Sequence, residues 1–340
     1  MTVPWGRRAV SGAQERYDRQ VRIFGAQAQR RLGGLTAAVV GVGGAGSLMV
    51  QGLAHLGVGR LLLVDPDVVE TSNLARLVGA HPRDARRARP KVAVARRTAR
   101  AIRPGLPVTA IRGSILDPAI WGTLRHADVL VGAVDGHAAR WALNRLAVQY
   151  AVLYLDLAAD LTRCRPSANQ DQDAPSPQRD LPVDGPGVVA AGGRVAIVRP
   201  GGPCLLCQDG YDPVLAAREQ DPALRSARLA SGYDAAMPGE PAGAALFLNQ
   251  AVTAQALAEL LNLLSPWRGT ADQILVDLTA PATSSLHADT NPACPVCGDQ
   301  AALRGTGDLA GPPPTRPARP PAKDTPRAPR LAPPSNPTRI

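Results

Sequence analysis

At 340 residues, with 45% hydrophobic and 19% charged side chains, the chain has material for one large or two modest domains around a buried core. No secretory leader opens it, and its longest apolar stretch, residues 242–264, is interrupted by Asn249, Gln250, Gln255 and Glu259, which excludes a membrane span and leads us to expect a soluble, cytoplasmic protein. The net charge of +10 does not make a nucleic-acid binder: residues 311–340 hold six Arg or Lys against one Asp, hence +5, and aromatics at 3% are too few for base-stacking platforms.

In chain order, residues 1–12 carry no periodic pattern and are expected to be disordered. Residues 14–32 read as an entry helix with Tyr17, Val21, Phe24 and Leu32 as its apolar contacts. The organising stretch follows. An apolar run, 37–40, breaks into the turn Gly41-Val42-Gly43-Gly44-Ala45-Gly46, and apolar residues then recur at helical spacing to Leu56. A second apolar run, 61–64, ends on Asp65. Strand, glycine turn, helix, strand with an acidic tip is a nucleotide-binding βαβ unit. The glycines let backbone approach a phosphate, the helix N-terminus offers free N–H groups, and Asp65 stands 19 positions after Gly46, near the spacing of a ribose-binding carboxylate. By itself this pattern also fits an NAD-dependent oxidoreductase.

Residues 65–90 form a long loop, a length that in compact domains usually serves function. Helices are expected at 91–103, 118–124 and 137–150, and strands at 108–111, 129–134 and 152–157, completing a doubly wound α/β half of about residues 35–160. Residues 163–192 are rich in Asp, Gln, Pro and Gly and read as a mobile excursion. A second half, about 190–300, holds a strand at 194–198, helices at 213–229 and 242–264, and strands at 274–278 and 284–287. From residue 304 to 340 a Pro/Arg-rich disordered tail is expected, with eleven prolines among the last thirty residues.

Four of the five cysteines form two C-x-x-C pairs, Cys204/Cys207 and Cys294/Cys297, separated by 86 residues. The second continues into Gly298, as in a zinc knuckle. Two such pairs supply four thiolates in tetrahedral reach of one Zn²⁺, and four thiolates leave no open position, so the expected zinc is structural. The remaining thiol, Cys164, reads as an ordinary free cysteine. Elsewhere, polar groups gather at the C-terminal tips of strands, where α/β sheets bind ligands: Asp65 and Asp67, then Asn73 and Arg76 on the loop, Lys91 opening a helix, and Asp135 ending a strand. Lys91 follows Pro90 into a first helical turn, where the dipole disfavours a cation unless an anion is bound there. All but two of the 38 basic residues are Arg, the exceptions being Lys91 and Lys323, which singles out Lys91 for its compact ammonium. Together these groups suit a Mg²⁺-bound triphosphate.

The set R-Y-D-R-Q at 16–20, the glycine turn, Asp65 and Asp67, S-N-L-A-R at 72–76, Lys91, Asp135 with Arg140 and Asn144, and the two C-x-x-C pairs resembles the ThiF/MoeB/HesA superfamily of adenylyltransferases, relatives of ubiquitin-activating enzymes. The resemblance covers about residues 14–300, within an adenylation domain drawn at 13–303. It implies that Gly41, Gly43, Gly44 and Gly46 shape an ATP loop and that Asp65, with Asp67 beside it, holds the ribose. It further implies that Asn73, Arg76 and Lys91 contact phosphates, that Asp135 binds Mg²⁺, and that Arg19 reaches the ATP of a partner subunit in a homodimer. The implied substrate is the C-terminal Gly-Gly carboxylate of a small ubiquitin-fold or sulfur-carrier protein, activated as an acyl-adenylate and passed to a sulfur donor or a conjugation protein. Adenylation of a peptide, or a non-catalytic binding role, are the alternatives. Leu77 stands where many relatives carry Gln, and no cysteine lies between Asp209 and Leu286, so no obligatory enzyme thioester is expected.

Overall fold

The computed structural model describes residues 12–163, 188–221, 245–280, 282–299, 301 and 303–310. The expectations for residues 1–11, for Cys164 and for 311–340 lie outside them. Helix α1 (Gly12–Gly34) is bent at Gly25, whose φ of 84° no side-chained residue adopts readily. Then follow β1 (Thr36–Val40), α2 (Gly44–Leu56), β2 (Arg60–Val64), α3 (Pro82–Arg86), α4 (Lys91–Ile102), β3 (Val108–Ile111), α5 (Pro118–Leu124), β4 (Val129–Gly132) and α6 (His137–Tyr150). The remainder is β5 (Leu153–Arg163), β6 (Val188–Val198), α7 (Pro213–Glu219), α8 (Leu246–Leu264), β7 (Gln273–Asp277) and β8 (Ala282–Leu286).

Among the described residues these strands make one eight-stranded sheet in the order β3-β2-β1-β4-β5-β6-β7-β8. The first five are parallel, and β6, β7 and β8 are added antiparallel. Burial on both faces explains the unbroken apolar runs of the central strands. Ala37, Val39, Leu61, Leu63, Val129 and Val131 point into one core with α2, α4 and α8, while Ala38, Val40, Leu62, Val64 and Leu130 point into the other with α5, α6 and the cysteine turns. This alternation is the period of two that a strand imposes.

Three expectations are corrected. The strand expected at 152–157 runs on to Arg163, and its partner begins at Val188, so 163 and 188–192 are strand, while the rest of the expected excursion, 164–187, lies outside the described residues. Its Ala190-Ala191-Gly192-Gly193 stretch lacks strand-forming side chains, yet Gly192 and Gly193 let β6 pass so close to the backbones of β7 and β5 that a Cβ would strike the carbonyls of Val276 and Ala158. The 65–90 loop is not irregular throughout. It holds a 3-10 turn at Thr71–Asn73 and the short α3, and is closed by the bridge Val68–Pro90. Arg97 grips Asp84 bidentately at 2.7 and 2.9 Å and also donates to the Gly79 carbonyl, so the loop is bolted to α4. Finally, ordered chain continues beyond residue 303: Gln149 donates to the Gly307 carbonyl and the Tyr150 hydroxyl to Asp308, which also pairs with Arg125.

Candidate functional site

The C-terminal ends of β1, β2, β3 and β4 open onto one cleft of about 210 Å³. Its lining includes Gly41, Gly43, Asp65, Asp67, Lys91, Ser114 and Asp135. Each glycine of the turn has a distinct task. Gly41 has φ +82°, and a Cβ there would strike the Ala133 carbonyl. Gly43 lines the cleft and has open space where its Cβ would be. Gly44 opens α2 against the Asn249 side chain, and Gly46 lies directly beneath the Gly41 carbonyl. Two glycines therefore set the turn and its packing, one admits a neighbouring helix, and one keeps the cleft open.

Asp65 is 4% exposed and holds the turn from the other side. Its Oδ2 accepts from the Val42 N–H at 2.6 Å and its Oδ1 from the Asp67 N–H at 2.8 Å. Burial raises its pKa above the ordinary carboxylate value, opposed by the Val42 N–H and by the charge of Lys91. The Lys91 ammonium, 13% exposed, meets Asp67 Oδ2 at 2.8 Å, while Asp67 itself is 59% exposed. The Lys91 N–H also donates to the Asp67 carbonyl at 3.0 Å, which fixes the start of α4 against the tip of β2. Asp135 stands exposed on the far wall, one residue before the Gly136 N-cap of α6. No side chain of its own caps that helix. Glu219 of α7 does so by accepting from the Ala138 N–H at 2.8 Å. His137 accepts from the Asp212 N–H at 2.9 Å, a contact that ties the start of α6 to the N-cap of α7.

The other site candidates face elsewhere. Asn73 is buried in its own turn, its Oδ1 accepting from the Glu70 N–H at 3.1 Å, and Arg76 donates to the Ser72 carbonyl at 3.0 Å. Neither lines the cleft, and Arg19 is exposed on α1. Leu77 is 4% exposed and fills a small core with Val69 and Val94, so it turns away from the cleft. The sequence reading missed Gly113, Ser114 and Ile115, which close the cleft after β3. The strand-end rule would have found them; the one charged residue at that tip, Arg112, donates to the Pro66 carbonyl at 3.1 Å and does not line the cleft.

The four paired cysteines meet behind β6, their Sγ atoms all within 4.8 Å of one another. Cys204 and Cys294 are 3.8 Å apart and Cys207 and Cys297 3.5 Å apart. Four sulfurs each about 2.3 Å from one tetrahedral ion would be separated by about 3.8 Å, so the donor set fits a single metal. No disulfide joins them. The close contact between Cys204 and Cys294 pushes the Cys204 thiol up and holds the Cys294 thiol down. Gly298 seals the knuckle, since a Cβ there would strike the Pro292 and Cys294 carbonyls. Asn144 ties the first pair to α6, accepting from the Leu205 N–H at 2.8 Å and donating to the Tyr211 hydroxyl at 3.3 Å.

A sulfur carrier protein adenylyltransferase of Thermus thermophilus is 26% identical over 85% of this chain and 93% of its own length. A sulfur carrier protein ThiS adenylyltransferase of Bacillus subtilis is 31% identical over 41% of this chain and 42% of its own length, and a SAMP-activating enzyme E1 of Haloferax volcanii is 35% identical over 38% and 48%. The chain thus spans about half the length of these last two relatives. Among solved structures, Escherichia coli MccB with ATP superposes with a TM-score of 0.59 at 20% identity, covering 83% of this chain and 74% of that one, a likeness of fold. The family model described as ThiF family matches residues 17–303, and the chain belongs to the ThiF family.

Proposed function

We propose that the protein is an ATP-dependent adenylyltransferase that activates the C-terminal carboxylate of a small ubiquitin-fold or sulfur-carrier protein ending in Gly-Gly. The observation that carries this reading is the convergence of the glycine turn, Asp65, Lys91 and Asp135 on one cleft in a ThiF-family chain. In this reading ATP lies along the turn, with its ribose at Asp65 and its phosphates at the N-terminus of α2. The carboxylate, already an anion, needs alignment with the α-phosphorus and no general base. Its oxygen forms the new P–O bond as the bond to the β-phosphate oxygen breaks, giving an acyl-adenylate and pyrophosphate. Lys91 gives up part of its pairing with Asp67 to meet the phosphate charge, and Asp135 would hold Mg²⁺, which neutralises charge developing on the phosphates.

The cysteine cluster would hold a structural Zn²⁺, since all four donors are thiols and no coordination position is left for chemistry. No cysteine lies between Asp209 and Leu286, so the adenylate passes to its acceptor, a sulfur donor or a conjugation protein, without an enzyme thioester. Arg19 and Arg76 complete the phosphate contacts in this proposal. Arg19 acts across a homodimer, and Arg76 and Asn73 act once their loop hydrogen bonds are exchanged for the nucleotide. The protein works without nucleic acid or membrane, in the cytoplasm; no described helix is long and apolar enough to cross a bilayer.

ATP–pyrophosphate exchange with purified protein and Mg²⁺, presented with small ubiquitin-fold proteins of the same source, tests the proposal. Exchange should require the partner's terminal glycine and fall at least a hundredfold in Lys91→Ala, on the order of the loss seen when one donor to a transition-state oxyanion is removed. Exchange that proceeds undiminished in Lys91→Ala would remove Lys91 from the mechanism. No exchange with any Gly-Gly partner would overturn the assigned substrate.

A further inference from the structure

Ser47 follows the last glycine of the turn and stands in the first turn of α2. It is 2% exposed and does not line the cleft, so its hydroxyl is engaged with the protein and is not offered to a ligand. That hydroxyl donates to the Gly44 carbonyl at 2.9 Å and accepts from the Val78 N–H at 3.1 Å. A hydroxyl can do both at once because it carries one hydrogen and free lone pairs. Among the described residues the bond from Val78 is the one hydrogen bond that joins residues 70–79 to α2. The stretch it holds is a stiff unit. The N–H groups of Arg76 and Leu77 both donate to the Asn73 carbonyl, at 3.0 and 2.8 Å, and the Asn73 side chain closes the turn on Glu70. Its entry is fixed by the Val69 N–H on the Arg89 carbonyl at 2.8 Å. Its exit is fixed to α4 by Leu77 against Val94 and by the Gly79 carbonyl, which accepts from Arg97 at 2.7 Å. Ser47 alone ties that exit to the helix whose N-terminus follows the glycine turn.

Resting on the reading of Arg76 as a phosphate contact, we propose that Ser47 is a positioning residue for the phosphate site. It holds the 70–77 turn, and Arg76 with it, in register with the glycine turn, so that one polyphosphate meets both the backbone N–H groups of α2 and the guanidinium. Ser47 touches no substrate in this scheme and acts only through the turn it holds.

Calorimetric titration of the full chain with ATP and with adenosine, as a double-mutant cycle over Ser47→Ala and Arg76→Ala, tests this. Ser47→Ala should weaken ATP by about threefold or more, within the range of residues that act through a packed neighbour, and should bind adenosine as the unmodified chain does. In a chain already carrying Arg76→Ala, the same substitution should weaken ATP no further. The Val78 amide should also exchange its hydrogen faster in Ser47→Ala, which reads the released bond independently of any ligand. ATP affinity unchanged in Ser47→Ala overturns the proposal, as do losses that add in full across the cycle or a Val78 amide as protected as before. Equal losses for ATP and adenosine also overturn it, by making Ser47 a support of the fold alone. If Arg76→Ala binds ATP undiminished, the reading of Arg76 fails and leaves Ser47 nothing to position. An unmodified chain that binds no ATP fails earlier still, at the nucleotide reading itself.

Discussion

Two substitutions three positions apart separate the structural from the functional role of the glycine turn. In Gly46→Ala the new methyl would lie 2.9 Å from the Gly41 carbonyl carbon and closer still to its oxygen. Both obstacles are backbone, and carbon atoms rest at about 3.5–4.0 Å, so the turn must retreat by about half an ångström or more. Gly41 is itself pressed on the Ala133 carbonyl, so the retreat has no free direction. Overpacking of this kind costs about 2 kcal/mol, which for a domain of about 290 residues lowers the melting temperature by about 3 °C. In Gly43→Ala the methyl meets nothing within 4 Å and φ is −79°, so the fold should melt as the unmodified chain does. That methyl instead enters the cleft where a phosphate would approach, and ATP affinity should fall by about tenfold or more, the loss of a hydrogen bond to a charged group. Thermal melts and calorimetric titration with ATP, run on both variants, read the two effects separately. A Gly43→Ala protein that binds ATP unimpaired, or a Gly46→Ala protein that melts with the unmodified one, would refute the assignment of roles.

Other consequences follow from the buried charges and the cysteine cluster. Arg97→Leu leaves the Asp84 carboxylate, 1% exposed, with the His81 N–H at 2.9 Å and Arg89 at 3.3 Å, and should cost about 3 kcal/mol in denaturant unfolding; a loss below about 1 kcal/mol would show that these two partners suffice. The hydrogen bond from Arg97 holds Asp84 well below the usual carboxylate range. This pair therefore contributes its full stability above the unfolded value of about 3.9 and loses it as pH falls from there through the folded value. Arg97→Leu should accordingly flatten the acid limb of the stability curve, and an unchanged limb would assign that limb to other groups. Elemental analysis should find one zinc per chain, and a chelator strong enough to remove it should lower the melting temperature by several degrees; a metal-free chain indifferent to chelation would refute the metal site. Leu77→Gln buries an amide between Val69 and Val94 and should cost about 2 kcal/mol, while a neutral result in urea would mean the side chain escapes that core.

Much of this was legible in the residues, for reasons that differ by element. The β1–α2–β2 unit was readable because both its period and its glycines are local signals: the strands bury both faces, and the turn must take a φ that only Gly41 supplies. The cysteine cluster was readable because paired spacing is itself a geometric statement, and the two pairs do meet. The interior of the 65–90 loop was opaque because its short turns are stabilised by side chains of Glu70, His81 and Asp84 reaching backbone N–H groups, with no apolar period to betray them. For the same reason Asn73 and Arg76 looked like ligand contacts while the structure engages them in their own loop. The start of β6 was hidden by its two glycines, whose strand character comes wholly from the neighbours they pair with. Asn249 read as a polar interruption of an apolar helix, and only the packing of α8 on α2 reveals that it faces Gly44.

The cysteine turns and the cleft both touch α6, through Asn144 and Ala139 respectively, and that helix joins them mechanically. From Cys204 onward the chain touches α6 repeatedly, through Leu205 and Tyr211 to Asn144, Asp212 to His137, and Glu219 to Ala138 at its first turn. A second tie runs beneath: fully buried Asp156 pairs with Arg140 of α6 at 3.4 Å and with Arg194 of β6 at 3.0 Å, accepts from the Tyr154 hydroxyl at 2.7 Å, and Arg194 reaches on to the Gly210 carbonyl. A carboxylate so buried is tolerable only because two guanidinium groups and a hydroxyl meet it, and removing any one would leave charge exposed to the core. Each of these contacts fixes the rotation or the axial position of α6, and Asp135 is carried on the turn that enters it. A bound metal that locks the two cysteine turns therefore also limits where Asp135 can stand. In a reaction that depends on aligning a carboxylate with a phosphate, an error of about 1 Å costs on the order of a hundredfold. If the cysteine cluster holds the proposed closed metal site, this linkage would give a physical reason for it to stand against the helix that Asp135 leads into.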